Sequence, residues 1–201
     1  MQGLSVIVLD GGRSSRFGED KLLYNYRGKP ILEWVLDAAR GSSPDEILLS
    51  LKDEEEHRAA LARKYGALLV FDRIRESSPL IGMCAGAEKA RNDILVVISG
   101  DSPLVGSSFI ASLRTALEEI NTEAAVPVWP DGRVEVIHAA YRKRPLMSAC
   151  KRMLSSADLE VKRVLMYMGS TYLVPVATLD KRSLLDVDTK DDLIALTDLL
   201  P

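Results

Sequence analysis

The chain has 201 residues, of which 47% are hydrophobic and 27% are charged, and its formal net charge is −3. That length fits a single domain, and the slight acidity argues against nucleic acid or an anionic membrane as a partner. No apolar run approaches the ~20 residues that a membrane-spanning helix needs, and no signal peptide is visible. Cys84 and Cys150 lack metal-type spacing, so we expect reduced cysteines and a cytoplasmic protein.

The first predicted element is a buried strand, Leu4–Leu9, and a glycine-rich loop with several cations follows it. The loop contains the glycines Gly11, Gly12 and Gly18, the serines Ser14 and Ser15 and the cations Arg13, Arg16 and Lys21. Glycine lets the backbone approach a ligand closely, backbone N–H groups can cradle phosphate oxygens, and cations neutralise their charge. Because open α/β sheets bind ligands at the carboxyl ends of strands, we predict a polyphosphate site at this loop.

Strands and helices then alternate through the first half of the chain. The predicted elements are a helix at Ile31–Ala39, a strand at Glu46–Leu51, a helix at Glu54–Tyr65, a strand at Ala67–Phe71, an apolar helix ending near Ala90, an apolar strand at Asp93–Ser99 and a helix at Ser107–Ile120. This order is typical of a mostly parallel sheet with right-handed crossovers and helices on both faces. The sequence therefore predicts an α/β fold.

Two carboxylates follow predicted strands of this sheet. Asp72 comes after the third strand and is predicted either to accept hydrogen bonds from a base or ribose or to cap the next helix. Asp101 follows the long apolar strand, where it could hold Mg²⁺ against phosphate oxygens or, alternatively, cap the helix at Ser107–Ile120.

The alternation is less regular in the second half. Predicted there are a strand at Ala124–Val128, a turn at 130–132, an extended partner at Val134–Ala139, helices at Leu146–Leu154 and Val161–Met168, and a strand at Thr171–Pro175. Trp129 could stack on a flat ring or simply cap the sheet, and His138 is expected to be a core or edge histidine. The four cations of the two helices could meet an anionic acceptor or remain solvated: Lys151, Arg152, Lys162 and Arg163.

Three motifs resemble those of the nucleotidyltransferases that attach a nucleotide to the molybdenum cofactor, the MobA-like family. The glycine loop matches the family signature at Leu9, Gly11, Gly12, Ser14, Arg16, Gly18, Asp20 and Lys21. The middle of the chain matches at Pro79, Leu80, Gly82, Asp101 and Pro103, and the end at Asp186, Asp188, Thr189, Asp192 and Leu193. The resemblance spans nearly the whole chain and implies a single domain, residues 1–201, with a three-layer α/β/α Rossmann-like fold.

The resemblance also implies an activity and the residues that serve it. It implies transfer of GMP from GTP to the phosphate of molybdopterin, with release of pyrophosphate and dependence on Mg²⁺. Nucleotide binding is expected in residues 1–105 and acceptor binding in 106–201. The implied catalytic residues are Arg16, Lys21 and Asp101; the implied nucleotide contacts are Leu9, Gly11, Gly12, Ser14, Lys21, Asp72 and Asp101; the implied metal ligands are Asp101 and Asp188. Asp188 is equally compatible with a plain turn before the last helix, which Thr189 can cap.

Alternatives in substrate and in class remain open on the sequence alone. Asp10, Ser78 and the pair Leu51-Lys52 depart from the family pattern, which bears on the substrate more than on the type of reaction. The chain could be another guanylyl- or cytidylyltransferase of the same fold, a sugar-1-phosphate nucleotidyltransferase, or a non-catalytic nucleotide-binding module. The expected partners are GTP and a phosphorylated pterin, with transient contact to other molybdenum cofactor proteins.

Overall fold

The computed structural model describes residues 2–10, 17–71, 74, 76 and 78–196. The strands are β1 (Leu4–Asp10), β2 (Asn25–Tyr26), β3 (Lys29–Pro30), β4 (Glu46–Leu51), β5 (Leu68–Phe71), β6 (Ile94–Ser99), β7 (Ala124–Val128), β8 (Ala139–Arg142) and β9 (Thr171–Pro175). The α-helices are α1 (Ile31–Gly41), α2 (Glu56–Tyr65), α3 (Pro79–Lys89), α4 (Ser107–Ile120), α5 (Lys143–Ser155) and α6 (Lys190–Leu196). Short 3₁₀ helices lie at Val161–Tyr167, Val176–Thr178 and Lys181–Leu184.

Within the described residues, a seven-stranded sheet has the order β5-β4-β1-β6-β8-β7-β9. The pairs β4–β5, β1–β4, β1–β6 and β7–β9 are parallel, whereas β8 runs antiparallel to both β6 and β7. Every residue of β1 and β6 is buried, as is typical of central strands with a helix layer on each face. The mostly parallel α/β architecture predicted from the sequence is confirmed.

Two apolar clusters cover the two faces of the sheet. One cluster joins alternate residues of β1 and β6 to α1, α2, α4 and α6, and the other joins the opposite faces of the same strands to α3 and α5. This division places the sheet between two helical layers and confirms the three-layer arrangement.

The order of the strands creates a switch point between β1 and β6. The chain goes from β1 outward to β4 and β5, and then returns to the other side of β1 as β6. Helices on the two sides of such a point leave a crevice at the carboxyl ends of the strands, where ligands of open α/β sheets bind. In the sequence the glycine loop follows β1 and Asp101 follows β6, so both motifs begin at this edge of the sheet.

Three local predictions are wrong. The extended partner predicted at Val134–Ala139 forms only a single bridge, between Val134 and Val128, and the strand starts at Ala139. The amide of His138 donates to the carbonyl of Glu135 in a turn, and this turn interrupts the extended backbone that the alternating apolar residues predicted. The helix predicted at Val161–Met168 is a 3₁₀ helix at Val161–Tyr167.

The third correction concerns the cysteines, which we expected to be reduced. Cys84 of α3 and Cys150 of α5 form a disulfide, and their Cα atoms are 5.6 Å apart. They are separated by 66 positions in the chain, so only the packing of α3 on α5 brings them together.

Among the described residues, no helix is long and apolar enough to cross a membrane.

Candidate functional site

Lys21 and Asp101 form an ion pair at the switch point of the sheet. The Lys21 Nζ atom lies 2.7 Å from Asp101 Oδ2, although the two residues are 80 positions apart in the chain. The Lys21 side chain is only 7% exposed. A buried ammonium is stable only where charge and hydrogen bonds compensate its lost hydration. The predicted loop cation and the predicted strand-end carboxylate therefore meet in one site.

The backbone around Asp101 explains why a glycine precedes it. The amide of Gly100 donates to the carbonyl of Leu9 at 2.8 Å, which ties the end of β6 to the end of β1. A Cβ atom at position 100 would lie 2.9 Å from that same carbonyl oxygen, closer than real Cβ contacts allow. Ser99 then orients the carboxylate, because its hydroxyl donates to Asp101 Oδ1 at 2.6 Å.

Asp188 contacts the same ammonium from the segment that precedes α6. Asp188 Oδ1 lies 3.3 Å from Lys21 Nζ, while 62% of the Asp188 side chain remains exposed. The amide of Val187 bonds the carbonyl of Asp101 at 2.9 Å and so aligns this segment with the end of β6. Asp192 accepts from the amides of Asp188 and Thr189, while the Thr189 hydroxyl accepts from the amide of Asp192. This reciprocal capping confirms Thr189 as the cap of α6 and holds Asp188 in place.

A polar chain that sequence reasoning did not identify joins the buried residues Ser102 and His138 to Asp186. The hydroxyl of Ser102 donates to Asp186 Oδ1 at 2.5 Å and lies 2.9 Å from Nε2 of His138. Because the single hydrogen of that hydroxyl is donated to Asp186, the hydrogen between Ser102 and His138 comes from the Nε2–H of His138. His138 is 2% exposed and is a hydrogen-bonded core histidine, as expected from the sequence.

The charge states in this region follow from burial and from neighbouring charges. Burial lowers the pKa of Lys21, but Asp101 and then Asp188 raise it more, so the net pKa is above its ordinary value. Burial, followed by the charge of Asp101, raises the pKa of Asp186 to about 6. Burial lowers the pKa of His138 to about 4, so this imidazole is neutral at pH 7.

A small cavity of about 140 Å³ opens beside the ion pair. Its lining consists of Leu9, Lys21, Leu22, Pro79, Ser99, Asp101, Ile137 and Asp186. Leu9, a predicted nucleotide contact, is therefore in place beside Lys21 and Asp101. Asp186 also belongs to the C-terminal motif, and its two-residue spacing from Asp188 is the sequence feature that could have placed it in the site. In extended chain that spacing turns both side chains to one side.

Several predicted site residues lie outside the described part of the chain. They are Gly11, Gly12, Ser14, Arg16 and Asp72. Their roles stay predictions from the sequence. Of the described site residues, the structure brings Leu9, Lys21, Asp101 and Asp188 to one place.

Three further side chains that the sequence left open have defined contacts. Both carboxylate oxygens of Asp10 face Arg58 rather than open space. The hydroxyl of Ser78 accepts from the amide of Leu80 and caps α3. The indole Nε1–H of Trp129 donates to Glu135 Oε1 at 2.5 Å, and the guanidinium of Arg133 lies 4.8 Å from the ring centre. These contacts favour the capping role for Trp129 over stacking on a ligand.

The donors around Lys21 suit a hard divalent cation. Asp101 and Asp188 supply carboxylate oxygens within 3.3 Å of one common atom, and Asp186 adds a third carboxylate to the cavity wall. Among the described residues, no group of three or more His, Cys, Asp or Glu side chains forms a ready cage for a metal. Mg²⁺ at phosphate-transfer sites typically takes one or two carboxylates and completes its shell with water and substrate phosphate. The residues present therefore fit a magnesium ion that binds together with a nucleotide.

Comparison with known proteins identifies the family of this chain. A family model described as the MobA-like NTP transferase domain matches residues 6–169. A relative from Thermococcus gammatolerans, named probable molybdenum cofactor guanylyltransferase, is 30% identical over 92% of this chain and 95% of its own length. A relative of the same name from Aquifex aeolicus is 30% identical over 92% of this chain and 86% of its own length.

A solved structure shares the fold over almost the full length. It is the molybdopterin-guanine dinucleotide biosynthesis protein A from Archaeoglobus fulgidus, with a TM-score of 0.79, 24% identity and coverage of 97% of both chains. The family match, the full-length relatives and the strand-end position of Lys21 and Asp101 agree with one another. The chain belongs to the MobA-like NTP transferase family.

Proposed function

We propose that this protein transfers GMP from GTP to the phosphate of the molybdenum cofactor and releases pyrophosphate. The observation that carries the proposal is the buried Lys21 ammonium, 2.7 Å from Asp101 at the carboxyl ends of β1 and β6. A nucleotidyltransferase needs a fixed cation and a metal-binding carboxylate side by side, because it must neutralise two anions that react with each other. The names of the relatives supply the identity of the nucleotide and of the acceptor.

The chemistry requires positioning and charge neutralisation from this chain rather than a protein nucleophile. An oxygen of the acceptor phosphate attacks the α-phosphorus of GTP in line, and the bond to the β-phosphate oxygen breaks as pyrophosphate leaves. The acceptor is already ionised at neutral pH, so no general base is needed. Lys21, with Arg16 from the glycine loop, would hold the phosphate oxygens and stabilise the charge that develops on them.

Asp101 and Asp188 would hold Mg²⁺, with Ser99 fixing the orientation of Asp101. When bound, the ion would neutralise negative charge on the phosphate oxygens of the nucleotide. Asp188 is the more adaptable of the two carboxylates, because its side chain is 62% exposed whereas that of Asp101 is 20% exposed. We therefore expect Asp101 to contribute more to turnover than Asp188.

The preference for guanine rests on the start of the glycine loop. A purine edge needs the backbone of Gly11 and Gly12 close to it with no Cβ atom between, and backbone groups there would match the donors and acceptors of guanine. An unpaired buried polar group costs about 1–3 kcal/mol, enough for roughly tenfold to hundredfold discrimination against adenine. Both oxygens of Asp10 contact Arg58, so we assign the base contact to the glycine backbone and not to Asp10.

Calorimetric titration of the nucleotides with Mg²⁺ tests the base preference. We expect GTP to bind more tightly than CTP or ATP, and Gly11→Ala to weaken the GTP complex selectively. Tighter binding of CTP would instead make the protein a cytidylyltransferase. A coupled assay of pyrophosphate release distinguishes an enzyme from a binding module, because a module would bind GTP but release no pyrophosphate in the presence of the acceptor.

A further inference from the structure

Asp10 is a buried carboxylate at the last position of β1. Its side chain is 5% exposed, and the glycine loop, which extends to Lys21, follows it in the sequence. Burial raises the pKa of Asp10, and the hydrogen bonds and charge of Arg58 oppose that shift. A carboxylate in this position destabilises the fold unless a cation pairs with it. A residue elsewhere in the chain must therefore supply that cation.

Arg58 of α2 supplies the cation and also contacts a second carboxylate. Its Nε and Nη2 atoms face the two oxygens of Asp10, with Nη2 at 3.4 Å from Asp10 Oδ1. Its Nη1 atom lies 2.7 Å from Asp20 Oδ2, and Nη2 lies 3.0 Å from Asp20 Oδ1. The Arg58 side chain is 14% exposed and that of Asp10 is 5% exposed, so the contact with Asp10 is shielded from solvent, whereas the Asp20 side chain is 42% exposed. The guanidinium therefore bridges Asp10 and Asp20.

The local structure of α2 fixes where Arg58 points. Glu55 caps the helix by accepting from the amides of His57 and Arg58, and its carboxylate also lies 3.3 Å from Nη1 of Arg58. Burial lowers the pKa of Arg58, but Asp20 and Asp10 raise it more, so the side chain stays charged. A planar fork of five N–H donors can serve two carboxylates at once, which the single ammonium of lysine cannot do with the same geometry.

The two carboxylates lie at the two ends of the glycine loop. Asp10 immediately precedes residue 11, and Asp20 immediately precedes Lys21. A side chain from a separate helix thus fixes both ends of the loop relative to each other. The Lys21 ammonium lies 2.7 Å from Asp101, so a small displacement of the loop end would break this contact.

We propose that Arg58 is a positioning residue that fixes Asp10 and Asp20 relative to each other and so sets the place of Lys21. This inference rests on the proposed role of Lys21 as a phosphate contact. It also explains why this chain has an aspartate at position 10, where the MobA-like family usually has alanine. In this chain Asp10 is the anchor for Arg58 and not a contact to the base.

Arg58→Lys tests the proposal while keeping the positive charge. We expect kcat/KM for GTP to fall by about tenfold or more, because displacement of a catalytic group by about an ångström can cost up to a hundredfold. Amide exchange in the nucleotide-free protein should rise about tenfold in peptides that cover residues 17–24, and stay unchanged in β6 and α4. Arg63→Lys is the matched control, since Arg63 lies on the same helix and, among the described residues, its side chain pairs only with the exposed Glu56. Normal exchange at residues 17–24 in Arg58→Lys would overturn the proposal.

A double variant separates positioning from simple charge compensation. Arg58→Ala leaves Asp10 buried without its cation and should lower the unfolding midpoint, whereas Asp10→Ala combined with Arg58→Ala removes the unpaired charge as well. We expect the double variant to recover the midpoint of the parent while kcat/KM stays about tenfold low. Recovery of both would show that Arg58 only neutralises Asp10, and would overturn the proposal. Exchange and unfolding need no nucleotide, so failure of the parent to use GTP would reject the proposed function and leave this test intact.

Discussion

His138 should make the stability of this protein fall in mild acid. The imidazole is fully buried, donates to Ser102, and has its pKa lowered to about 4 from an ordinary value of 6.5. The unfolded chain therefore binds a proton between these two pH values more readily than the native protein does. Since the unfolded state gains the proton, the contribution of His138 is complete above pH 6.5 and is lost as the pH falls towards 4.

The size of the effect follows from the two pKa values. Between pH 7 and pH 5 the linkage amounts to about 2 kcal/mol of unfolding free energy. Asp186 opposes it over the same range, because its pKa is raised to about 6 and its protonation favours the native state. The parent protein alone would therefore show a smaller slope than His138 generates.

Comparison with His138→Gln isolates the histidine. Glutamine keeps an N–H donor for Ser102 but does not titrate, and all other groups cancel in the difference between the two proteins. Urea unfolding at pH 7, 6 and 5 gives the free energies. We expect the stability advantage of the parent over the variant to shrink by about 2 kcal/mol from pH 7 to pH 5. A difference constant to within about 0.5 kcal/mol would refute the assignment of a buried, neutral histidine.

Four other substitutions have defined outcomes. Asp101→Asn should reduce Mg²⁺-dependent turnover about a hundredfold or more while leaving GTP binding partly intact, whereas Lys21→Ala should weaken both, as measured by pyrophosphate release and calorimetry. Thiol titration of the denatured, unreduced protein should find no free thiol, and two titratable thiols would contradict the pairing. Cys84→Ala should lower the free energy of unfolding in urea by about 4 kcal/mol, because the disulfide closes a separation of 66 residues. Ser50→Ala should raise the unfolding free energy by about 1 kcal/mol, because Ser50 Oγ is buried with no hydrogen-bond partner among the described residues.

The sequence predicted the parts of the site that follow directly from strand ends. Lys21 and Asp101 come after apolar strands, and parallel strands bring their carboxyl ends to one edge of the sheet. Their contact could therefore be anticipated although 80 positions separate them. The capping role of Thr189 was also predictable, because it depends only on residues within one turn of α6.

What the sequence could not predict depends on packing between distant elements. The disulfide between Cys84 and Cys150 requires α3 to lie against α5, and no local pattern encodes that contact. The bridge from Arg58 to the glycine loop is of the same kind, since the approach of α2 to the end of β1 is a tertiary feature.

The wrong strand at Val134–Ala139 has a different cause. Apolar residues alternate there as in a strand, but they pack inward from a turn. The hydroxyl of Tyr141 donates to the carbonyl of Val136 at 2.6 Å, and so gives this backbone group a partner outside any strand ladder of the described residues. Local hydrogen bonds thus replaced the strand pairing that the pattern alone predicted.

Mass spectrometry of the reaction product tests the central claim most directly. The protein is incubated with Mg²⁺, molybdopterin and either GTP or CTP, with the Asp101→Asn variant in parallel. The account predicts a product with the mass of the acceptor joined to GMP, formed together with an equal amount of pyrophosphate, and nearly absent with the variant. A CMP adduct in place of the GMP adduct, or equal product from the variant, would contradict it.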